Sequence, residues 1–149
     1  MKIAVASDHA GLEYKRRLAR DLADAGHEVI DFGTDSPGPC DYPEFIRPAA
    51  EAVADGRCDR AVVLGGTGNG EAMVANRVRG VRCALCWDLR SARFARAHND
   101  ANVLALGQRM VSVEAAREIL QVWLTTGFDA GRHARRIALI DRPPDRSGA

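Results

Sequence analysis

The sequence has almost no net charge and no long apolar run. Its 149 residues include 21 Lys and Arg against 20 Asp and Glu, a formal charge of +1, so no overall field favours nucleic acid or an anionic membrane as a partner. No apolar run reaches the roughly 18 residues that span a membrane. The apolar run near the start ends at Ser7, too early for a signal peptide. We therefore expect a cytoplasmic protein.

Cysteines are few and lack metal-ligand spacing. They are Cys40, Cys58, Cys83 and Cys86, and only the last two suggest a redox or zinc pair. Those two lie in an apolar stretch that predicts a strand, where positions three apart face opposite sides, whereas redox CxxC pairs begin a helix. We expect buried free thiols and no metal. A chain of 149 residues buries an ordinary core without a disulfide.

Five short apolar runs alternate with helix-length segments. Between the runs, apolar residues recur at helical spacing, as in Tyr14, Leu18 and Leu22. The alternation predicts one α/β domain over residues 1–141, a parallel sheet with helices on both faces. A last helix near 132–140 and a flexible tail at 142–149 complete the prediction. The expected strands are 2–6, 28–32, 60–64, 82–86 and 102–106.

The most informative stretch runs from Gly65 to Glu71, Gly-Gly-Thr-Gly-Asn-Gly-Glu, directly after a predicted strand. Glycines let backbone N–H groups converge on a developing oxyanion, and the glutamate supplies a base. This pair of features suits proton abstraction next to a carbonyl, where one group takes the proton and others hold the enediolate charge. The loop alone is also compatible with a plain connector, in which Glu71 favours the positive end of the next helix.

Other polar residues follow the predicted strands. Ser7-Asp8-His9 comes after the first, Asp41-Tyr42 after the second and Gly107-Gln108-Arg109 after the fifth. Because parallel sheets bind ligands at the carboxyl ends of their strands, we expect the first two of these segments and the glycine-rich loop at one edge. His98-Asn99 ends the fourth predicted helix, just before the fifth strand.

Five motifs lie at residues 7–11, 41–43, 65–71, 98–102 and 132–136. In sequence and in order they resemble those of the ribose-5-phosphate isomerase type B family, which includes allose-6-phosphate and galactose-6-phosphate isomerases. The resemblance runs from Lys2 to about Ile140. It implies a Rossmann-like three-layer sandwich and a homodimer or homotetramer with active sites at the subunit interface. It also implies interconversion of an aldose phosphate and its ketose through an enediolate, without metal or organic cofactor.

One departure from the family pattern bears on the mechanism. Many members carry a cysteine base where this chain has Gly65, and glycine cannot abstract a proton. An actinobacterial-looking branch instead places a glutamate at the end of the loop, where this chain has Glu71. Glu71 is therefore the expected base. The sequence leaves open whether helix-end amides lower its pKa or an apolar site raises it.

The resemblance assigns roles beyond the base. It implies that His98 opens the sugar ring, reaching into the neighbouring subunit's site, and that Thr67 supports the transferred proton or the open-chain sugar. Taken alone, His98 also fits a helix cap or a surface residue, and Asp8 a helix cap. The groups expected to bind sugar hydroxyls or the enediolate are Asp8, Tyr42, Gly66, Gly68, Asn69, Gly70 and Asn99.

A substrate phosphate needs fixed positive charge. Arg132 and Arg136 lie four apart on one predicted helix face and form a candidate anion clamp, which Arg109 and His9 would complete. The alternative is a solvated basic helix face. His133, between the two arginines, fits either a phosphate contact or the surface.

Two other functions stay open. The same machinery would serve another sugar phosphate, such as allose 6-phosphate, galactose 6-phosphate or a tetrose phosphate, and the residues between Asp35 and Tyr42 should decide among them. The second alternative is a non-catalytic ligand-binding module on a Rossmann-like sheet. The first predicted loop has no GxGxxG, and the loop at Gly65 lacks the Lys-Ser/Thr ending of a P-loop.

Overall fold

The computed structural model describes residues 1–142, and the predicted tail lies outside the described residues except for Arg142. Five strands form one parallel sheet in the order β2-β1-β3-β5-β4. Each strand end lies within one residue of its expected position, so the α/β prediction is confirmed. The strands are β1 Lys2–Ser7, β2 Glu28–Asp31, β3 Arg60–Gly65, β4 Cys83–Leu85 and β5 Val103–Gly107.

Six α-helices connect and follow the strands. The last one is shorter than the expected 132–140, because after Ala138 the backbone hydrogen bonds change from four-residue to three-residue spacing. In the part of the chain that the structure describes, no helix has the length and apolar character needed to cross a membrane. The helices are α1 Leu12–Asp24, α2 Tyr42–Ala54, α3 Asn69–Ala75, α4 Leu89–Ala97, α5 Val113–Thr125 and α6 Arg132–Ile137.

The helices pack on both faces of the sheet, giving three layers. Helices α1, α4 and α5 cover one face, where Leu18, Ile119 and Trp123 are buried against β1, β3 and β5. Helices α2 and α3 cover the other face, which is lined largely by alanines and valines. The central strands β1, β3 and β5 are therefore buried on both faces of the sheet, as in other parallel sheets.

The cysteines bear out the sequence prediction only in part. Cys58 and Cys86 are buried, whereas Cys40 and Cys83 are partly exposed, so the expectation of four buried thiols is wrong for these two. Cys83 packs beneath α2 and α3, and Cys86 lies in the core of the opposite face, which confirms that the pair points to opposite sides. Burial raises the pKa of Cys83, and that of Cys86 to about 11, so both thiols stay protonated at neutral pH.

The chain order reverses between β1 and β3. From β1 the chain moves outward to β2, then crosses back to β3 on the other side of β1. The loops that leave β1 and β3 diverge at this point, and the crevice between them is the usual ligand site of an open parallel sheet. Asp8 and the glycine-rich loop both lie there.

Candidate active site

A cavity of about 320 Å³ opens at the carboxyl ends of β1 and β3. Three segments that the sequence analysis singled out meet in it: the one after β1, the start of α2 and the glycine-rich loop after β3. Arg109, which follows β5, lies there as well. The lining residues are Asp8, His9, Ala10, Tyr42, Gly66, Thr67, Gly70, Glu71 and Arg109.

Glu71 is the buried carboxylate of this cavity. It is the third residue of α3 and only 4% exposed. Its carboxylate lies over Gly65, where a Cβ would overlap the carboxylate oxygens, so only glycine leaves room for it. Gly68 makes the turn into α3 with a φ of 80°, a conformation that L-residues rarely adopt. Both glycines thus serve to bring the carboxylate into the site.

The environment of Glu71 favours its protonated form. Burial is the main cause that raises the pKa of the Glu71 carboxyl, and the nearby Asp8 carboxylate adds to the effect. The backbone N–H groups of Gly68 and of Glu71 itself act in the opposite direction. Burial outweighs these N–H groups, which decides a point that the sequence left open. A carboxylate with a raised pKa is a stronger base than an exposed glutamate.

The two oxygens of the Asp8 carboxylate have different surroundings. Oδ1 accepts hydrogen bonds from the backbone N–H groups of Ala10 at 2.9 Å and Gly11 at 3.1 Å, which is the capping role that the sequence allowed. Oδ2 lies 4.0 Å from Nδ1 of His9. Capping therefore fixes the carboxylate without using both of its oxygens.

His9 and Arg109 supply hydrogen-bond donors to the cavity. Nδ1 of His9 accepts a hydrogen bond from the backbone N–H of Cys40 at 3.3 Å, so a neutral His9 ring carries its hydrogen on Nε2. The guanidinium group of Arg109 packs against Gly66. These two side chains could together receive a phosphate group at this edge of the sheet.

Thr67 and Tyr42 both line the cavity. The Thr67 hydroxyl accepts a hydrogen bond from the backbone N–H of Asn69 at 3.3 Å. The ring of Tyr42 lies against Gly70. Asn69 and Gly68 shape the loop but do not line the cavity, whereas Gly70 does, and its N–H is one of those at the start of a helix that have no acceptor within the helix.

The remaining predicted site residues lie at the opposite edge of the sheet. His98 and Asn99 follow α4, which runs back to the amino ends of the strands, and Asn99 precedes β5. Strand β5 separates them from the glycine-rich loop by about 13 Å. With Arg136 they line a second cavity, of about 390 Å³, whose other residues are His133, Ile137 and Ile140. A single chain therefore does not bring His98 to Glu71.

The ring of His98 is held in a stack. Its centroid lies 4.7 Å from that of Phe94 and 4.4 Å from that of His133, which is nearly parallel to it. Partial burial, followed by the charges of His98 and two arginines of α6, lowers the pKa of His133. The sequence left His133 between a phosphate contact and the surface, and the structure places it against His98. Arg132 is exposed at the start of α6.

His98, His133 and Asp129 form the one group of metal-ligand side chains found among residues 1–142, with ligand atoms within 4.8 Å of one another. The two imidazoles are parallel to within 8°. Their in-plane lone pairs therefore run side by side and do not converge on one point, as tetrahedral coordination requires. Arginines of α6 lower the pKa of His133 and would equally oppose a cation. These side chains do not fit a metal as they stand.

Sequence reasoning missed several residues that shape both edges. The backbone N–H of Cys40 sets the hydrogen-bonding of His9, and Asp129 Oδ2 lies 4.0 Å from Nε2 of His98. Neither contact joins neighbours in the chain, so no local pattern signals it. Asp100 lies inside the motif at 98–102, but the sequence does not show that its backbone adopts a positive φ of 44°.

Residues 3–140 match the family described as Ribose/Galactose Isomerase. The chain belongs to this family. Ribose-5-phosphate isomerase B of Escherichia coli K12, for example, is 41% identical over 139 residues, which cover 93% of this chain and 93% of that protein. The resemblance inferred from five motifs is thereby confirmed over almost the whole described chain.

Solved structures agree with this assignment. Ribose-5-phosphate isomerase B of Clostridium thermocellum superposes with a TM-score of 0.93 at 48% identity, covering 95% of both chains. The Mycoplasma genitalium enzyme, solved with bound ribulose-5-phosphate, has a TM-score of 0.92 at 37% identity and covers 95% of this chain and 94% of its own. The chain is a sugar-phosphate isomerase with the Rossmann-like fold of this family.

Proposed function

We propose that this isomerase interconverts ribose 5-phosphate and ribulose 5-phosphate through an enediolate, with Glu71 as the base. The observation that carries the proposal is the buried Glu71 carboxylate, 4% exposed, at the wall of a cavity that also holds Asp8 and Thr67. Burial raises its pKa, which strengthens it as a base. The related Mycoplasma genitalium enzyme, whose structure contains ribulose-5-phosphate, supports the choice of a five-carbon substrate.

The chemistry balances within the substrate. The Glu71 carboxylate takes the proton from C2 of the open-chain aldose, and the electron pair of that C–H bond forms the C1–C2 double bond of the enediolate. As the enediolate forms, the electrons of the C1 carbonyl move to O1. A proton then passes from O2 to O1 while the protonated Glu71 returns its proton to C1, and the electron pair of the O2–H bond forms the C2 carbonyl of the ketose. Backbone N–H groups from Gly66 to Gly70 stabilise the charge on the oxygens, and the Thr67 hydroxyl donates to the same region.

Each active site is proposed to combine two subunits. His98, Asn99 and the arginines of α6 lie at the edge of the sheet opposite to Glu71, so they reach a Glu71 site only from a neighbouring chain. In that arrangement the partner's His98 opens the furanose ring and the partner's Asn99 binds a sugar hydroxyl. The assembly is a homodimer or a homotetramer built from such pairs.

The phosphate group is proposed to bind between the two chains. His9 and Arg109 approach it from the chain that provides Glu71. Arg132 and Arg136 approach from the partner, four residues apart on α6. Arginine suits this position because its planar fork binds phosphate through two hydrogen bonds. The family description, Ribose/Galactose Isomerase, leaves the length of the sugar to experiment.

The test is a comparison of substrates. The purified protein is incubated with ribose 5-phosphate, allose 6-phosphate, galactose 6-phosphate and erythrose 4-phosphate, and ketose formation is followed for each. We expect the highest kcat/KM with ribose 5-phosphate. A higher value with a hexose or tetrose phosphate would reassign the substrate. Binding without turnover of any of them would support the non-catalytic module instead.

The rate should depend on pH through Glu71. The base must be ionised, and its raised pKa means that kcat/KM falls on acidification at a higher pH than for an exposed glutamate. The substrate phosphate also titrates near pH 6, so the informative quantity is the difference from a variant. Because the Asp8 carboxylate raises the pKa of Glu71, Asp8→Asn should shift the acidic limb to lower pH. An unchanged limb would argue against Glu71 as the titrating base.

Gly65→Ala should abolish most of the turnover while the protein stays folded. The added Cβ would overlap the Glu71 carboxylate, which is the end of a flexible side chain and moves away from its position. We expect a loss approaching that of removing the base, on the order of a hundredfold. Gly65→Cys should behave alike, without taking over the role of Glu71. Gly127→Ala is the matched control, since nothing lies within 4 Å of a Cβ there, and it should keep full activity.

Treatment with EDTA should leave the activity unchanged. The proposed proton transfer uses a carboxylate and backbone N–H groups and needs no Lewis acid, and the parallel rings of His98 and His133 do not converge on a cation. The assay compares the protein before and after chelation and dialysis. Activity that disappears with EDTA and returns with added Zn²⁺ or Mg²⁺ would contradict this expectation.

A further inference from the structure

The turn between α4 and β5 contains a backbone conformation that needs support. Asp100 has a φ of 44°, and Ala130 is the other non-glycine residue of the described chain with a positive φ. Non-glycine residues adopt this region rarely and keep it only where the surroundings impose it. Asp100 directly follows His98 and Asn99, so its conformation sets how the chain turns from these two residues toward β5.

Arg82 binds this turn from the residue just before β4. Its Nε donates to the carbonyl of Asn99 at 2.9 Å, and its Nη2 donates to the carbonyl of Asp100 at 2.9 Å. Nη2 also lies 3.3 Å from Oδ2 of Asp100. One planar guanidinium thus holds two consecutive carbonyls and a carboxylate.

Arg96 binds the same turn from the last turn of α4. Its Nη1 lies 2.7 Å from Oδ1 of Asp100 and donates to the carbonyl of Ala101 at 2.8 Å. Arg96 is only 6% exposed. A charge buried to this degree needs a partner, and Asp100 provides it, so the carboxylate is shared by two arginines.

We propose that Arg82, Asp100 and Arg96 form a turn clamp that positions His98 and Asn99 for the isomerase reaction. The inference rests on the proposed function, in which His98 opens the sugar ring. The three residues of the turn clamp are positioning residues, because they act through the turn and do not touch the substrate. Loss of the turn clamp changes the placement of the ring opener while the base at the other edge keeps its surroundings.

The site has a Glu71 half, which moves the proton, and a His98 half, which opens the ring. The chemistry of the reaction allows the two halves to be tested separately. Ribulose 5-phosphate has no furanose ring, because its C5 oxygen carries the phosphate. Glu71 can therefore exchange a C1 hydrogen of ribulose 5-phosphate with solvent deuterium without any ring opening. Conversion of ribose 5-phosphate needs both halves of the site. The ratio of exchange to conversion reports damage to the His98 half specifically, whereas partial unfolding lowers both rates equally.

The first test variant is Arg82→Lys. Lysine keeps the positive charge but has no planar fork, so it cannot hold the carbonyls of Asn99 and Asp100 together. We expect conversion of ribose 5-phosphate to fall by roughly ten- to a hundredfold, the scale of a small misplacement of a reacting group. Deuterium exchange into ribulose 5-phosphate, measured at saturating concentration so that weaker binding through Asn99 does not affect it and followed by proton NMR, should stay near the wild-type rate. The matched control is Arg57→Lys, in the exposed pair of Arg57 and Asp55 at 2.8 Å.

Two substitutions of Asp100 keep the test decisive if Arg82→Lys folds poorly. Asn tolerates a positive φ better than most residues and retains one acceptor oxygen, whereas Ala retains neither advantage. Asp100→Asn should therefore recover much of the conversion that Asp100→Ala loses. Thermal melting of each variant shows how much of any loss comes from unfolding.

The outcomes separate the turn clamp from the proposed function. A raised ratio of exchange to conversion in Arg82→Lys and Asp100→Ala, but not in Arg57→Lys, supports the turn clamp. A wild-type ratio in folded variants overturns it and leaves the proposed function intact. A wild-type protein that neither converts ribose 5-phosphate nor exchanges ribulose 5-phosphate overturns both.

Discussion

Glu71→Gln should lower kcat by about a hundredfold or more, the contribution of a positioned general base. The amide has nearly the shape of the carboxylate and fits over Gly65 in the same way, but it cannot accept the C2 proton. Because the native carboxyl has a pKa raised mainly by burial, an uncharged replacement costs the fold little. Substrate binding and the melting temperature should stay close to those of the wild type.

The control for this variant is Glu114→Gln. Glu114 is also in the first turn of a helix, α5, but is exposed, so the same chemical change there should leave kcat unchanged. Exchange of ribulose 5-phosphate hydrogens should fall together with conversion in Glu71→Gln, since both need the base. Turnover at the wild-type level would remove Glu71 from the mechanism and direct attention to Asp8, the other carboxylate of the cavity.

Much of the fold follows from local sequence. Each strand is a short apolar run bounded by turn residues, and burial on both faces of a parallel sheet requires this composition. The helix faces of α1 and α5, with Leu18 and Trp123 in the core, follow from the 3.6-residue period. The end of α6 was not predictable, because Ala138 to Ile140 have no buried side chain that would extend an apolar face.

The site was predictable where its parts are contiguous. The loop from Gly65 to Glu71 is recognisable in the sequence by its four glycines after an apolar run. The family resemblance singles out Glu71 within it. The direction of the Glu71 pKa shift was not predictable, because it depends on burial in the fold and on Asp8, which arrives from a different strand. The contacts of Asp100 with Arg82 likewise join residues 18 positions apart, and no local pattern encodes such a pair.

Mixing two inactive variants, Glu71→Gln and His98→Ala, should restore activity. The prediction follows from the positions of the two side chains at opposite edges of the sheet, so that a complete site needs Glu71 of one chain and His98 of another. A mixed dimer then has one intact site and one that lacks both groups. Random exchange of subunits should yield about a quarter of the wild-type activity, since half of the dimers are mixed and each has one working site of two.

The reciprocal mixture gives a second readout that changes in the opposite direction once subunits exchange. Wild-type chains mixed with the double variant Glu71→Gln/His98→Ala should lose activity, because every mixed dimer has one site without its base and another without its ring opener. If each site were built within one chain, the outcomes would reverse: the two single variants would stay inactive together, and wild-type chains would keep their activity beside the double variant. Mass spectrometry of the intact assemblies verifies the exchange in both mixtures, so a shared site and a self-contained site predict opposite results from the same chains.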